Sequence, residues 1–441
     1  MIKTFKLGGI HPASNKISAD AKIETIVPEG TATIFLSQHI GVPAEPVVAK
    51  GDVVKTGQLI AKANGFVSAN IHSSVSGTVT NIDLIADHLG IKRTAIVIKV
   101  ENDEWAEDIN RSSEIVKEIQ FTAEEIIKKV ADAGIVGLGG AAFPSHVKLS
   151  VPNGKTAKCV IINAAECEPY LTSDYRVMLE HTEELLIGIQ ILKKAIGVSE
   201  AYIGIEANKP KAIEKIKNLL TSYKGIELVV LKTRYPQGGE KQLIKAVIGR
   251  EVPSGGLPID VGAIVHNAGT VFSVYEAVQK NKPLIENIVT ITGKNAANRN
   301  LLVRIGTPLS KLIDIVGGLP DNTGKIILGG PMMGKAISNI DAPTQKNTSS
   351  ILLIGTNESL RNEPASCIRC ARCVSVCPMG LEPYLLKSLT DKNMLEALEK
   401  NSAHDCIECG CCLYTCPSNI PLLDYIRLGK TEVLKAKRNR K

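Results

Sequence analysis

Eight of the eleven cysteines of this chain fall into two copies of one spacing. Cys367, Cys370, Cys373 and Cys377 precede Pro378, and Cys406, Cys409, Cys412 and Cys416 precede Pro417, both as C-x-x-C-x-x-C-x-x-x-C-P. Thiolates at two-residue gaps wrap one face of an iron–sulfur cubane, and the fourth ligand must arrive from elsewhere. In two-cluster proteins with this spacing, the fourth cysteine of each run ligates the other cluster. The expected sets are therefore Cys367, Cys370 and Cys373 with Cys416, and Cys406, Cys409 and Cys412 with Cys377. Zinc also takes four cysteines, but it needs neither a third cysteine at fixed spacing nor a repeated Cys-Pro ending. Two [4Fe–4S] clusters and one-electron transfer are the expectation. Cys411 breaks the spacing and reads as a bystander, and Cys159 and Cys167 read as packed thiols.

A second group of residues could meet a phosphate. The loop Gly137-Leu138-Gly139-Gly140-Ala141-Ala142-Phe143-Pro144 offers close backbone approach and free N–H groups. It follows a helical stretch, so it fails the strand–loop–helix test for a dinucleotide fingerprint. His146 and Lys148 lie just beyond it, and Asn163 stands at a strand end, where ligands of α/β sheets sit. Glu166 and Glu168 flank Cys167 in a Pro-terminated loop. Gly238, Gly239 and Glu240 form PQGGEKQ, and a later strand ends at His266-Asn267. His266 taken singly reads as an ordered structural histidine.

The elements that must position these groups divide the chain. Residues 1–115 carry short Val/Ile strands broken by Gly51-Asp52, Gly57-Gln58 and Ser76-Gly77, an all-β pattern. It resembles the barrel-sandwich hybrid of biotinyl and lipoyl carriers. The matching turn, Asn64 to Asn70, has no lysine to modify, so the module reads as structural. Residues 116–284 alternate helices and strands, the mark of an α/β domain with a mostly parallel sheet. Thr122 with Glu125 forms a capping box opening a helix that ends at Gly134, and one helix is expected over about 175–195. Residues 285–345 form a small β-rich unit for ligand binding or docking. Residues 346–428 hold the cysteines, with helical periodicity between the runs, and 429–441 read as a basic tail.

At 441 residues, 44% apolar, the chain is long enough for several cores. No run of 18 apolar residues marks a membrane span, and the N-terminus reads as no signal peptide. A reducing compartment is expected, where clustered cysteines bind metal. The net charge is +7, and from Arg427 to Lys441 seven basic residues face one acid, Glu432. That tail suits an anionic membrane surface, an acidic partner or free solvent. No basic stripe with aromatics speaks for nucleic acid.

GLGGAAFPSHVKL, IINAAECEPYLTSDYR, YPQGGEKQL and VHNAGT, with GGIHP and LGGPMMG, resemble the C subunit of the Rnf ion-translocating oxidoreductase complex. They are more distantly similar to the NADH- and FMN-binding subunit of respiratory complex I. The resemblance covers nearly the whole chain. It implies a complex-I-like flavin domain, a β-grasp soluble-ligand-binding module and a helical ferredoxin-like domain. Gly137, Gly139, Gly140, Lys148 and Asn163 would contact FMN, with Glu166 and Gly239 near it, and Asn267 and Thr270 closing the pocket. Glu168 and Glu240 would face NADH/NAD⁺. At Ala165 the complex I relatives carry an acid instead. The implied role is peripheral, at the cytoplasmic face of the cell membrane. Electrons pass there between NADH and the clusters in a complex coupled to ferredoxin and to Na⁺ or H⁺ transport. Its partners are integral membrane subunits and a ferredoxin-like subunit. A flavin suits the junction because hydride chemistry moves two electrons and a cubane one. Two rivals share parts of the pattern: a soluble cobalamin or corrinoid reductase, and a cluster-wiring subunit without flavin. The N-terminal place of the β module favours the Rnf type.

Overall fold

The computed structural model describes residues 2–440. Its central sheet grows from apolar runs such as CVIINA and AIVHN, whose continuity suits strands covered on both faces. Strands Cys159–Ala164, Glu200–Glu206, Ile226–Leu231 and Ala263–Asn267 are all parallel. Cys159–Ala164 lies between Glu200–Glu206 and Ala263–Asn267. The chain therefore winds outward in one direction and returns to the other side, which makes a topological switch beside Cys159–Ala164. One core joins the sheet to helices Ala123–Asp132, Thr182–Ile196 and Ala268–Gln279. A second lies under helix Glu240–Ile248. Thr122 caps the first helix with both bonds of the box, worth about 1 kcal/mol. The single helix expected over 175–195 is two, Ser173–Glu180 and Thr182–Ile196. His181 leaves helical geometry between them, at φ −122°.

The N-terminal β module has its own core around Ile34, Ile60, Ile71, Ile96 and Ile98. Its lysine-free turn is docked. Asn70 Nδ2 donates to the Asp132 carbonyl at 3.1 Å, and His146 Nε2 meets the Phe66 carbonyl at 3.1 Å. His146 is thus spent on this contact rather than on the glycine loop.

The third unit is larger than expected. Its six-stranded sheet runs Ile23–Thr25, Arg299–Arg304, Glu286–Thr292, Ser350–Gly355, Thr323–Leu328, Lys335–Ala336. Two strands come from outside 285–345. Ile23–Thr25 falls in the stretch expected for the β module, and Ser350–Gly355 in the stretch expected for the cysteine unit. Ile23–Thr25 covers the free edge of Arg299–Arg304, and Ser350–Gly355 fills the middle of the sheet, between Glu286–Thr292 and Thr323–Leu328. A buried net of Ser18, Thr172, Thr290 and Asn300 ties this sheet to the flavin-type domain.

The cysteine unit is helical, as expected, and its last helix, Leu422–Asn439, absorbs the supposed basic tail. Leu422, Ile426, Gly429 and Val433 form its buried stripe. Glu408 pairs with Arg427 at 3.0 Å and Lys430 at 2.8 Å, and Glu399 pairs with Lys437 and Arg440. No helix among the described residues is long and apolar enough to cross a membrane.

Three units meet at Lys346. It is 1% exposed, and its Nζ donates to the carbonyls of Asn70 and Gly134 at 2.7 Å each. No carboxylate offsets its charge there, and burial brings its pKa down to about 7. The folded state therefore binds fewer protons than the unfolded one between about pH 7 and 10.5, and stability rises with pH in that window. Its upper limit is about 1.4 kcal/mol per pH unit. Lys346→Met should flatten this rise, read as melting temperature between pH 7 and 10. An unchanged slope would contradict the assignment.

Candidate functional site

Asn163 and Asn267 are register partners at the carboxyl ends of the two strands that flank the switch. Ligands of open α/β sheets bind in this crevice. Asn267 caps helix Ala268–Gln279, its Oδ1 accepting from Thr270 N at 3.2 Å. Its Nδ2 donates to Asp174 Oδ2 at 2.6 Å. Burial, then the neighbouring Glu166 charge, pushes the Asp174 carboxyl up to about 7. Thr270 Oγ1 in turn accepts from Leu138 N at 2.9 Å, which fixes the glycine loop above the crevice. Gly139 has to be glycine, because a Cβ would lie 2.8 Å from Asn267 Nδ2, whereas Gly140 faces open space. Gly137 N closes the loop on the Phe143 carbonyl at 2.9 Å.

The far wall is built from Asn163, whose Nδ2 donates to the Gly238 carbonyl at 2.8 Å. Gly238 N donates to Cys167 Sγ at 3.2 Å, and burial pushes that thiol up to about 12, so it is a packed thiol. Lys148 Nζ bridges Glu240 Oε1 and the Val265 carbonyl, each at 3.0 Å. Beside it, burial and the Lys148 charge bring His266 down to about 3, leaving a neutral ring. Glu166 has φ +44°, and its Oε1 accepts from Asp174 N and Tyr175 N at the start of helix Ser173–Glu180. Ala165 is fully buried.

Glu168, expected to face the nucleotide, lies beneath a turn of the third unit. Its carboxylate is closed over by the backbone N–H groups of Met332 and Met333, at 3.1 and 2.8 Å, and by Tyr235 Oη at 3.4 Å. Burial pushes it up to about 7. The LGGPMMG turn, which the sequence offers only as a point of resemblance, is the cap on this acid.

Sequence reasoning missed Lys16. Its Nζ donates to the carbonyls of Glu166, Glu168 and Leu171 at 2.8, 2.9 and 2.6 Å, and it holds the whole AECEPYL loop. Its place close behind GGIHP was the available signal. Lys16→Met leaves three carbonyls without their charged donor, at about 1–3 kcal/mol each if they stay dry. If the chain passes electrons from NADH to bound clusters, their reduction should slow by tenfold or more (about 1.4 kcal/mol), read by stopped-flow bleaching. A rate equal to the parent would remove Lys16 from the site.

The cysteines form two neighbourhoods. Cys377, Cys406, Cys409 and Cys412 line one cavity with Leu386, Leu423 and Ile426. Burial and the like charges of Cys409 and Cys377 push Cys406 up to about 11, and Cys412 rises for the same reasons beside Cys406, Cys409 and Cys377. Cys373 has Cys416 as its thiol neighbour, while Cys367 and Cys370 are exposed. Backbone N–H groups of Leu381 and Glu408 donate to Cys377 Sγ and Cys406 Sγ, each at 3.4 Å. Cys411, read as a bystander, is fully buried and lines the same cavity. No three His, Cys, Asp or Glu side chains among the described residues converge on a single-ion position.

The residues present suit both kinds of group. Gln237, Gln242 and His266 each keep a buried polar atom without a hydrogen-bond partner, and Glu166 Oε2 has only the Lys16 ammonium, at 3.7 Å. Such atoms cost about 1–3 kcal/mol apiece and suit a crevice that takes a polar ligand. The buried thiols with N–H donors suit a thiolate-held cluster.

Fold and site together define a multidomain α/β protein that joins an FMN-type crevice to a cysteine-rich, ferredoxin-like unit. Family models agree by segment: RnfC barrel sandwich hybrid domain at residues 3–104, Nuo51 FMN-binding domain at 130–276, SLBB domain at 288–336 and 4Fe-4S dicluster domain at 359–417. A solved NAD⁺-reducing [NiFe]-hydrogenase in the H₂-reduced state shares the fold, at TM-score 0.50 and 17% identity, over 72% of this chain and 62% of that one. The C subunit of the proton-translocating ferredoxin:NAD(+) oxidoreductase complex of Clostridium ljungdahlii is 47% identical, over 98% of this chain and 94% of its own. The C subunit of the Na(+)-translocating complex of Acetobacterium woodii is 41% identical over 99% and 98%. The C subunit of an ion-translocating oxidoreductase complex of Rhodobacter capsulatus is 42% identical over 97% and 83%. The chain belongs to the family of C subunits of Rnf-type ion-translocating oxidoreductase complexes.

Proposed function

We propose that this chain exchanges electrons between NADH/NAD⁺ and two [4Fe–4S] clusters by way of FMN. It does so as a peripheral subunit at the cytoplasmic face of a membrane complex coupled to ferredoxin and to Na⁺ or H⁺ transport. The observation that carries this reading is the register pair Asn163 and Asn267 at the switch of the sheet, roofed by the glycine loop. Bound FMN supplies the exchange between two-electron hydride chemistry and the single electrons that cubanes accept.

The protein's own groups do the positioning. Lys148, held by Glu240, would be the cation for a flavin phosphate, and the glycine loop would offer its free N–H groups. Asn163 and Asn267 would line the flavin pocket as fixed walls, each held by its own hydrogen bonds, and Thr270 holds the loop in place. With Lys148 turned to a flavin phosphate, Glu240, at the start of its helix, would be open to the nucleotide. Glu168 joins it if the turn of Met332 and Met333 moves away. Cys377, Cys406, Cys409 and Cys412 are the buried set. They adjoin the crevice through Tyr235, whose Oη donates to the Cys409 carbonyl at 2.9 Å. Cys367, Cys370, Cys373 and Cys416 are the outer set and the exit.

The relatives named as complex subunits favour this over a free corrinoid reductase. Affinity purification of the tagged chain from detergent-solubilised membranes tests it. Recovery with integral membrane subunits and a ferredoxin-like subunit is expected, and recovery alone from the soluble fraction would contradict it.

A further inference from the structure

The two cysteine runs share one backbone. Arg369, Ala371 and Gly380 in the first have φ values of 56°, 57° and 67°; Glu408, Gly410 and Asn419, at the corresponding steps of the second, have 57°, 77° and 50°. Equivalent side chains therefore leave each loop in equivalent directions. What covers them differs. Ile407 packs with Cys409, Cys411, Ile10, Tyr235 and Met332. A Cβ on Gly410 would lie 3.1 Å from the Met332 carbonyl oxygen. This face of the buried loop is covered by Ile10 of the N-terminal segment, Tyr235 of the flavin-type domain and Met332 of the third unit. The counterparts in the outer loop are bare. Ile368 is 67% exposed, and Cys367, Arg369, Cys370, Ala371 and Arg372 are exposed too. Neither arginine has an ion-pair partner among the described residues, and no Asp or Glu lies between Pro364 and Val376.

We propose that the Ser366–Arg372 loop is the docking surface for an acidic one-electron carrier protein. The carrier sits on the outer cysteine set as the rest of this chain sits on the inner one. The inference rests on the two-cluster reading above. Ile368 supplies the apolar centre and the two guanidiniums the rim, the pattern of a small, transient, charge-steered interface. Transfer across it moves one electron and neither bond nor proton: the donor is oxidised by one and the acceptor reduced by one.

The test uses the anaerobically purified full-length holoprotein and, as probe, a purified two-cluster ferredoxin of net negative charge. Binding is measured by calorimetry at several salt concentrations, with iron content and low-temperature EPR showing that both clusters are in place. Arg369→Glu with Arg372→Glu, and separately Ile368→Asp, should each raise Kd by about tenfold or more. The double variant should also flatten the salt dependence. If either costs a cluster, Ile368→Ala and Arg369→Gln give the same comparison more gently. Affinity equal to the parent, with clusters intact, would overturn the proposal. So would loss of binding to anionic phospholipid vesicles, or of a self-associated species, with ferredoxin affinity unchanged, because the face would then serve another occupant. A parent protein without two clusters would instead overturn the reading on which the proposal stands.

Discussion

Cys416→Ser should remove the cluster whose other three ligands stand in the upstream run, and Cys377→Ser the cluster of the downstream run. Each variant is expected to keep about half of the parent's iron and sulfide, since one complete ligand set survives. The two are not equivalent. Cys377 belongs to the buried set, which adjoins the crevice through Tyr235 and Cys409. Its loss should stop NADH from reducing the remaining cluster, while dithionite still does. Cys416 neighbours Cys373 in the outer set, so Cys416→Ser should leave NADH-driven reduction of the inner cluster in place and block onward transfer. Stability should fall as well, because ligand binding free energy is folding free energy in small metal-held units. EPR of the reduced variants decides. If Cys416→Ser abolished the same signal as Cys412→Ser, each run would ligate its own cluster and the crossing would be wrong.

Gly139→Ala should release the flavin and spare the clusters. The added methyl meets Asn267 at 2.8 to 3.0 Å. Asn267 has little room to give way, since its amide is spent on Asp174 at 2.6 Å and on Thr270 N at 3.2 Å. Displacing it sacrifices an N-cap, about 1 kcal/mol, and a hydrogen bond to a carboxyl group, about 1.5–3 kcal/mol. Flavin affinity should therefore drop by about two orders of magnitude. The checks are the flavin-to-protein ratio after gel filtration and the iron content. A full complement of flavin would show that the glycine loop and Asn267 do not form the cradle.

Much of this was legible because it is local. The cysteine spacing, the capping box at Thr122 and Glu125, and the parallel-strand runs act within a few residues. The Asn163–Asn267 pair was legible only by resemblance, since their meeting depends on strand order. Lys16 escaped because its three acceptors lie far along the chain, and a lysine is ordinarily solvated. Lys346 escaped for the same reason. The strand Ile23–Thr25 is short, and both it and Ser350–Gly355 join a sheet built mostly by other residues. The charge of the basic tail hides a stripe at Leu422, Ile426, Gly429 and Val433, a spacing that marks a helix face. Glu168 is the instructive case: its loop stands out in the sequence, but the turn that caps it comes from another unit.

The central claim is that one polypeptide carries electrons from a nucleotide through a flavin to its cysteine-held clusters. Anaerobic titration of the purified chain with NADH, followed by visible absorbance and EPR, tests it most directly. The prediction is a releasable yellow flavin, bleaching of the cluster absorbance on NADH addition, and cluster EPR signals that appear as it bleaches. Clusters present with no flavin, or clusters that stay oxidised under excess NADH yet respond to dithionite, would contradict it.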